Sequence, residues 1–319
     1  MNVLTSVFAP LINTMLDYRE ALGYSRATHS ANLQAFDRYC TERGIEKSAL
    51  TKSLAWDYMN DLGVKKRSGM KEKAASLRLF GKYLCAIGKT AYVMPDEMFP
   101  AAKTELPYIF TDRELAVLFK AIDSFSESNG DPAAKIFPTL FRLIYTCGLR
   151  PNEGRELFTE NINFDTGEIL LTKTKRHKER IVVMSDDMLD YCGAYNDAST
   201  DYRISSEYFF PAQDGAPVTS ARVNNTLNEC WSAAHPGIND LPSIRVYDLR
   251  HRFASAALVR WIDEGKDLYA MLPYLSSYMG HDTLTETAHY IHVLPENLVK
   301  SAGIDWAAFD DILPEVTGI

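Results

Sequence analysis

Three side chains near the end of the sequence have the chemistry to attack a phosphodiester. Arg250 lies in Y-D-L-R-H-R-F-A at 247–254. His281 follows Gly280 in Y-M-G-H-D-T-L-T-E-T-A-H-Y-I-H-V at 278–293, and Tyr290 comes nine residues after it. A phenol is an oxygen nucleophile once its proton is taken. A guanidinium and an imidazole can hold phosphate oxygens. These residue types are common, so the weight comes from upstream. Arg150 stands in C-G-L-R-P-N-E at 147–153, just past a glycine that breaks a helix. Lys175 stands in K-T-K-R-H-K-E-R at 173–180, where a strand-like run meets its turn. Each position also has a plainer reading. Arg150 suits a helix cap or a pair with Glu153, and Lys173 competes with Lys175. His251 reads as a core or helix-start residue. His289 and His292 flank Tyr290 but lack partners at metal-ligand spacing, so they read as shell residues and no metal is expected.

The elements that must position these groups are mostly helical. Apolar residues recur at helical spacing over 4–21, ending at Gly23, and over 25–43, closing before Gly44. A third helix runs from an N-cap at Thr51 to about Asp61. A fourth spans about Ser68 to Ile87, with Ala75, Leu79, Tyr83 and Leu84 as inward candidates. Residues 88–107 carry three prolines and no period, which marks a linker. Thr111 followed by Glu114 forms a capping box at the head of the next helix. Pro138 opens a helix to Thr146. Residues 161–184 read as three short strands in an antiparallel meander, because N-F-D-T-G-E and K-R-H-K fall between β-branched and apolar runs. Helices resume at 186–194, 218–234, 247–264 and 268–279.

The chain has 319 residues, enough for two domains, and 46% of them are hydrophobic, enough for real cores. No apolar run is long enough to span a membrane, and the N-terminus lacks signal-peptide features, so a cytoplasmic protein is expected. Cys40, Cys85, Cys147, Cys192 and Cys230 are scattered and read as reduced core thiols. The net charge of −8 argues against a nucleic-acid partner until it is divided. Residues 1–104 hold 15 Lys and Arg against 10 Asp and Glu, whereas residues 105–319 hold 19 against 32. Distribution, not the total, decides whether a groove can take a phosphate backbone. Lys65, Lys66, Arg67, Lys71, Lys73 and Arg78 form one basic run, and Lys173 and Arg176 belong to another; each run reads plainly as a solvated face, and these residues are the candidates for binding DNA.

The order of these motifs resembles the tyrosine recombinase (phage integrase) family. An arginine follows a helix break, a lysine sits on a hairpin, an arginine sits in L-R-H, a histidine follows glycine, and a tyrosine comes nine later. The similarity covers nearly the whole chain, including A-L-G-Y-S-R-A-T-H-S-A-N-L-Q-A-F at 21–36. It implies a mainly α fold with a small antiparallel sheet (α+β). Residues 1–103 would form a helical, SAM-like core-binding domain. Residues 104–319 would form a catalytic domain with the three-stranded meander and a C-terminal tail.

The resemblance also implies roles. Tyr290 attacks the scissile phosphate and forms a 3′-phosphotyrosine. Arg150 and Arg250 grip the non-bridging oxygens with help from His281, Lys175 protonates the leaving 5′-oxygen, and Glu153 supports Arg150. The covalent link conserves bond energy, so neither cofactor, ATP nor metal is needed. The implied partners are double-stranded DNA with inverted half-sites and three further subunits, in a homo-tetramer or a hetero-assembly with related recombinases. The implied setting is the nucleoid, and the implied role is integration or excision of a mobile element. A type IB topoisomerase-like nicking and closing enzyme, or a catalytically silent DNA-binding homologue, would carry similar motifs. One departure stands out: where the family has a histidine three residues before its second arginine, this chain has Tyr247. A phenol with an ordinary pKa of about 10 is a poor base at neutral pH, which leaves the base unassigned.

Overall fold

The computed structural model describes residues 4–61, 67–96, 107–130, 132–172, 179–199 and 206–293, with the backbone alone at 28, 67–68, 132–133 and 292–293. The chain divides into two compact units, Met1–Glu105 and Leu106–Ile319.

The first unit contains α1 (Ala9–Ala21), α2 (Ala27–Glu42), α3 (Lys52–Asp61) and α4 (Arg67–Ala86). Helix α1 starts later than its apolar pattern, because Asp37 captures the chain before it. The Asp37 carboxylate accepts from the backbone N–H of Thr5 at 2.8 Å and of Ser6 at 3.1 Å. Pro10 then occupies the first turn, where its missing N–H costs nothing. The Thr51 hydroxyl accepts from the Leu54 N–H at 3.1 Å, the N-cap expected for α3.

Phe8, Phe36, Tyr58 and Phe80 make an aromatic centre, with Phe36 5.4 Å from Phe8 and 5.2 Å from Tyr58 between ring centroids. Such pairs add about 0.5–1.5 kcal/mol beyond their buried area. Helix α4 buries Ala74, Leu77, Phe80 and Leu84. Ala75, Leu79 and Tyr83, expected inward, are only half-buried. Leu79 and Tyr83 still pack against this core. A further segment crosses α4 at Gly81, where a β-carbon would collide with the Tyr92 carbonyl. Met94 of that segment is buried, and the Tyr92 N–H donates to the Leu50 carbonyl at 2.7 Å. The first part of the expected linker is therefore core. Cys85 is exposed, unlike the other four cysteines, and is not the core thiol expected.

In the second unit α5 (Asp112–Ser128) opens on the expected reciprocal cap. The Glu114 N–H donates to Thr111 Oγ1 at 3.2 Å, and the Thr111 N–H donates to Glu114 Oε2 at 2.8 Å. Helix α6 (Ile136–Cys147) is the axis of this unit. Ile136, Phe137, Leu140, Phe141, Leu143 and Ile144 are all fully buried, so the helix is apolar around most of its circumference. It is packed by α5, α8 (Asp186–Ser199) and α10 (Val246–Asp263), while α9 (Ser220–Ala234) lies on α5. The short α7 (Pro151–Arg155) follows α6 directly. A second, smaller cluster joins Ala254 and Leu258 of α10 to Leu272, Leu275 and Met279 of α11 (Leu268–Met279). It also takes in Tyr290 and Ile291, which follow α12 (Leu284–Ala288) in a 3-10 turn, His289–Val293.

The expected three-stranded meander is a two-stranded antiparallel sheet. β1 (Glu168–Leu171) pairs with β2 (Arg180–Val183), Glu168 opposite Val183 and Leu171 opposite Arg180. Residues 159–161 wind into a 3-10 turn, which leaves Ile162 extended to make one bridge, to Ile169. Among the described residues no helix is long and apolar enough to cross a membrane.

Candidate active site

Two helices end on glycines in the left-handed conformation, and the site is built on those ends. Helix α6 stops at Gly148 (φ +62°) and α11 at Gly280 (φ +65°). A β-carbon at 148 would strike the Phe253 ring, and one at 280 would come within 3.0 Å of Arg180. The last carbonyls of a helix lack intrahelical partners and carry its partial negative charge. Arg250, in the first turns of α10, takes one from each end. Its Nη1 donates to the Gly148 carbonyl at 2.6 Å and its Nη2 to the Met279 carbonyl at 2.7 Å. Arg250 is fully buried, and among the described residues its Nε has no acceptor. Arg150 Nη2 donates to the Gly280 carbonyl. The two arginines expected to act together thus sit on the same pair of helix ends.

Glu153 fixes their geometry. It reaches back to the Arg150 N–H at 2.8 Å and accepts from Arg150 Nη1 at 2.8 Å. It also takes both Nη atoms of Arg180, at 2.8 and 2.7 Å, while Arg180 Nε donates to the Tyr278 carbonyl at 2.9 Å. Arg250 Nη1 lies 4.0 Å from it. Burial alone would raise the Glu153 pKa. The hydrogen bonds and charge of Arg180, then Arg150, outweigh it and hold the carboxyl at about 2. Three guanidinium groups thus face one carboxylate, a surplus of positive charge suited to an anionic ligand.

His281 is held at both ring nitrogens. Its Nε2 lies 3.0 Å from Arg250 Nη2 and its Nδ1 2.7 Å from the hydroxyl of buried Thr287. Burial, then the charges of Arg250, Arg150 and Arg180, push its pKa down to about 3. The neutral ring therefore accepts from Arg250 at Nε2 and donates to Thr287 from Nδ1. It stacks on the Tyr290 ring, 6.0 Å between centroids and 18° between planes. Tyr290 is 3% exposed, and burial pushes its phenol up to about 12 against the pull of Arg250. Its hydroxyl lies 3.1 Å from His251 Nδ1. Tyr247, in the first turn of α10, is exposed, with its ring 5.9 Å from the Arg250 guanidinium carbon and 5.0 Å from the His251 ring.

Arg150, Arg250, His281 and Tyr290 are thus brought together, with Tyr247 beside them. Lys175, Lys173, Arg176, Lys65 and Lys66 lie outside the described residues, as does the Arg67 side chain. Lys71 is exposed on α4 and Lys73 half-exposed. Arg78 is committed elsewhere. Its Nε donates to the Met94 carbonyl at 2.7 Å, Nη2 to the Pro95 carbonyl at 2.5 Å, and Nη1 pairs with Asp96 at 2.6 Å. It staples the crossing segment to α4, in place of the phosphate contact expected. Three residues that the sequence reading left outside this set make contact with it: Arg180 with Glu153, Thr287 with His281, and His251 with Tyr290. Arg180 closes the basic run at the head of β2, and Thr287 sits one turn before Tyr290. His251 shares a helix face with Tyr247 at i+4, a spacing that could have flagged it.

The model of the Phage integrase family matches residues 110–297, which include all six candidate catalytic positions. The chain belongs to the phage integrase family. An integrase/recombinase of Sinorhizobium fredii, y4rE, is 29% identical over 289 residues, 88% of this chain and 90% of that protein. Among solved structures, the XerH site-specific recombinase, captured on a palindromic difH substrate after cleavage, aligns with a TM-score of 0.63 at 18% identity. It covers 88% of this chain and 80% of that one. A lambda integrase tetramer bound to a Holliday junction aligns at 0.59 and 14% identity, over 93% and 80%. At these identities the structural likeness is one of fold, and this integrase-family chain shares the mostly helical architecture with a small antiparallel sheet.

Proposed function

We propose that this chain cleaves and rejoins duplex DNA through a phosphotyrosine link at the 3′ end of the cut strand. The observation that carries the reading is a chain of contacts: Arg150 and Arg250 hold the ends of the same helices, Arg250 meets His281, and His281 stacks on the Tyr290 ring. The bond from Tyr290 Oη to phosphorus forms as the bond to the 5′-oxygen breaks. Charge gathers on the non-bridging oxygens, and preorganised guanidinium groups stabilise it where it develops. The unpartnered Arg250 Nε is a buried donor available to such an oxygen. Lys175 supplies the proton to the leaving 5′-oxygen, and Tyr247 donates a hydrogen bond to the phosphate. No metal, ATP or cofactor enters, because the energy of the broken ester is kept in the new one.

The assembly we assign is four subunits on paired inverted half-sites, made of this chain alone or with related recombinases. The outcome is integration or excision of a mobile element at the nucleoid, in the cytoplasm. XerH on its palindromic substrate and the lambda integrase tetramer on a Holliday junction support this reading. Lys71 and Lys73, with Lys65, Lys66, Arg67, Lys173 and Arg176, are the assigned backbone contacts.

The test is trapping of a covalent adduct on duplexes drawn from the chain's own genomic neighbourhood, each nicked beside the cleavage point so that the short strand diffuses away. Wild type should give a denaturation-resistant protein–DNA band. Tyr290→Phe should give none while binding the same duplex within about twofold. A band of equal yield from Tyr290→Phe, or binding by wild type without any adduct, would overturn the proposal.

A further inference from the structure

The Tyr290 hydroxyl must lose its proton to become a nucleophile, and it is too buried for bulk water to take it. The acceptor has to come from the protein. His281 already uses both ring nitrogens, on Arg250 and Thr287, and it meets Tyr290 face to face, not end-on. The Glu153 carboxylate is saturated by arginines. Tyr247 offers another phenol. His251 is different: its Nδ1 stands 3.1 Å from Tyr290 Oη, within hydrogen-bond reach of the atom that reacts.

We propose that His251 is the catalytic base of this chain, taking the Tyr290 proton on Nδ1 during cleavage and returning it during resealing. The inference rests on the reading of Tyr290 as the nucleophile. A lone pair of Oη forms the bond to phosphorus, and the electron pair of the phosphorus–O5′ bond leaves with O5′. The Oη proton passes to His251 Nδ1, and O5′ receives its proton from the Lys175 ammonium. Resealing reverses each step: the 5′-hydroxyl attacks phosphorus, and the departing phenolate recovers the proton from the His251 imidazolium. The ring must hold its own proton on Nε2 so that Nδ1 presents a lone pair.

The surroundings suit an acceptor that starts neutral. His251 faces Tyr247 and Arg250 on its own helix, Arg245 just before it, His281 beyond α11, and His289 and Tyr290 on the 3-10 turn. Burial first, then Arg245, Arg250 and His289, holds it at about 4. Nδ1 is therefore unprotonated throughout the neutral range. A phosphodiester beside Arg250 brings a negative charge that offsets those cations and raises the affinity of Nδ1 for a proton as the reaction calls for it.

The experiment compares single-turnover adduct formation on the nicked duplex by wild type, His251→Ala and His251→Asn, with duplex affinity measured in parallel. His251→Ala should slow the adduct about 10²- to 10³-fold, in the range of a lost general base, with affinity within about threefold. His251→Asn puts an amide oxygen near the place of Nδ1, so it can hold the phenol but cannot take its proton. It should stay slow by at least about tenfold. A third arm places a fluorinated, more acidic tyrosine at 290 in the His251→Ala chain. The adduct rate should recover in large part and climb with pH, a response that lost packing would not give. Wild-type speed in His251→Ala or His251→Asn removes the base while leaving the phosphotyrosine reading intact. So does failure of the acidic tyrosine to restore a slow His251→Ala. Absence of an adduct from wild type removes the phosphotyrosine reading and the base with it.

Discussion

Glu153, His251 and His281 all bind their protons less tightly in the folded chain than when unfolded, and that shared direction has a consequence for stability. Glu153 is held at about 2 against an ordinary 4.5, and His281 and His251 at about 3 and about 4 against an ordinary 6.5. Between the folded and ordinary values the unfolded chain carries more protons, so stability rises with pH across each window. The contribution of Glu153 is complete above about 4.5 and is lost as pH falls toward 2. The two histidines act earlier: their burial as neutral rings begins to cost stability as pH drops below 6.5. The thermal midpoint of the full chain should therefore fall steadily from pH 7 to pH 4.5, before the loss of the Glu153 contribution adds to the fall. The His281→Asn chain, with one fewer buried imidazole, should show a shallower fall. A midpoint that stays flat over that range, or an equal slope in both chains, would mean that the two rings are not buried neutral groups. The sequence shows His251 near the start of a helix, as the structure does, but not its contact with Tyr290. Its identity and position in α10 fit a core residue, and its contact with Tyr290 exists only once the 3-10 turn is folded back on that helix.

Helix ends carry the site, and they were also its most legible part. A glycine after an apolar helix predicts a left-handed C-cap, and both C-G-L-R and M-G-H deliver one. The caps at Thr51 and at Thr111 with Glu114 were equally readable, because each is decided by residues three apart. What long-range packing decides was not. Residues 91–94 cross α4 at Gly81, and the third strand is lost to a 3-10 turn. Gly148→Ala tests the importance of the caps. Left-handed backbone at a residue with a β-carbon costs about 1–2 kcal/mol, and here the methyl group also meets the Phe253 ring. The urea midpoint should drop by more than strain alone predicts, and adduct formation should fall sharply, because the Gly148 carbonyl holds Arg250. Gly44→Ala is the control: its φ is also positive, at +60°, but nothing lies within 4 Å of the added methyl group. It should cost the strain and leave the adduct unchanged. Equal effects of the two substitutions would mean that the contact with Phe253 and the hold on Arg250 contribute nothing.

Over the whole molecule, the uneven charge and the C-terminal tail each lead to a prediction about binding. Residues 1–104 carry a surplus of basic residues and the remainder a larger surplus of acidic ones. Duplex affinity should therefore depend on the first unit and weaken steeply with salt, by about 10³-fold between 50 and 200 mM if roughly six phosphates are contacted. Equal affinity and salt slope for residues 106–319 alone would refute that division. The tail raises a different question. Residues 294–319 lie outside the described residues, and their sequence sets N-L-V-K-S-A-G-I and W-A-A-F in a stretch too short to build a core of its own. Apolar residues in such a segment need cover. If the tail covers a neighbouring subunit, each subunit gives a segment to the next, and the contact is heterologous and closes into a ring. Tyr290 stands a few residues before that segment, so a neighbour pulling on the tail would act on the nucleophile itself. Deletion of residues 297–319 separates this arrangement from a tail folded on its own domain. Binding of one subunit to a half-site should survive the deletion, while cooperative filling of a full site and strand exchange should fail. Undiminished cooperativity after the deletion would place the tail on its own subunit and leave the coupling between active sites to some other contact.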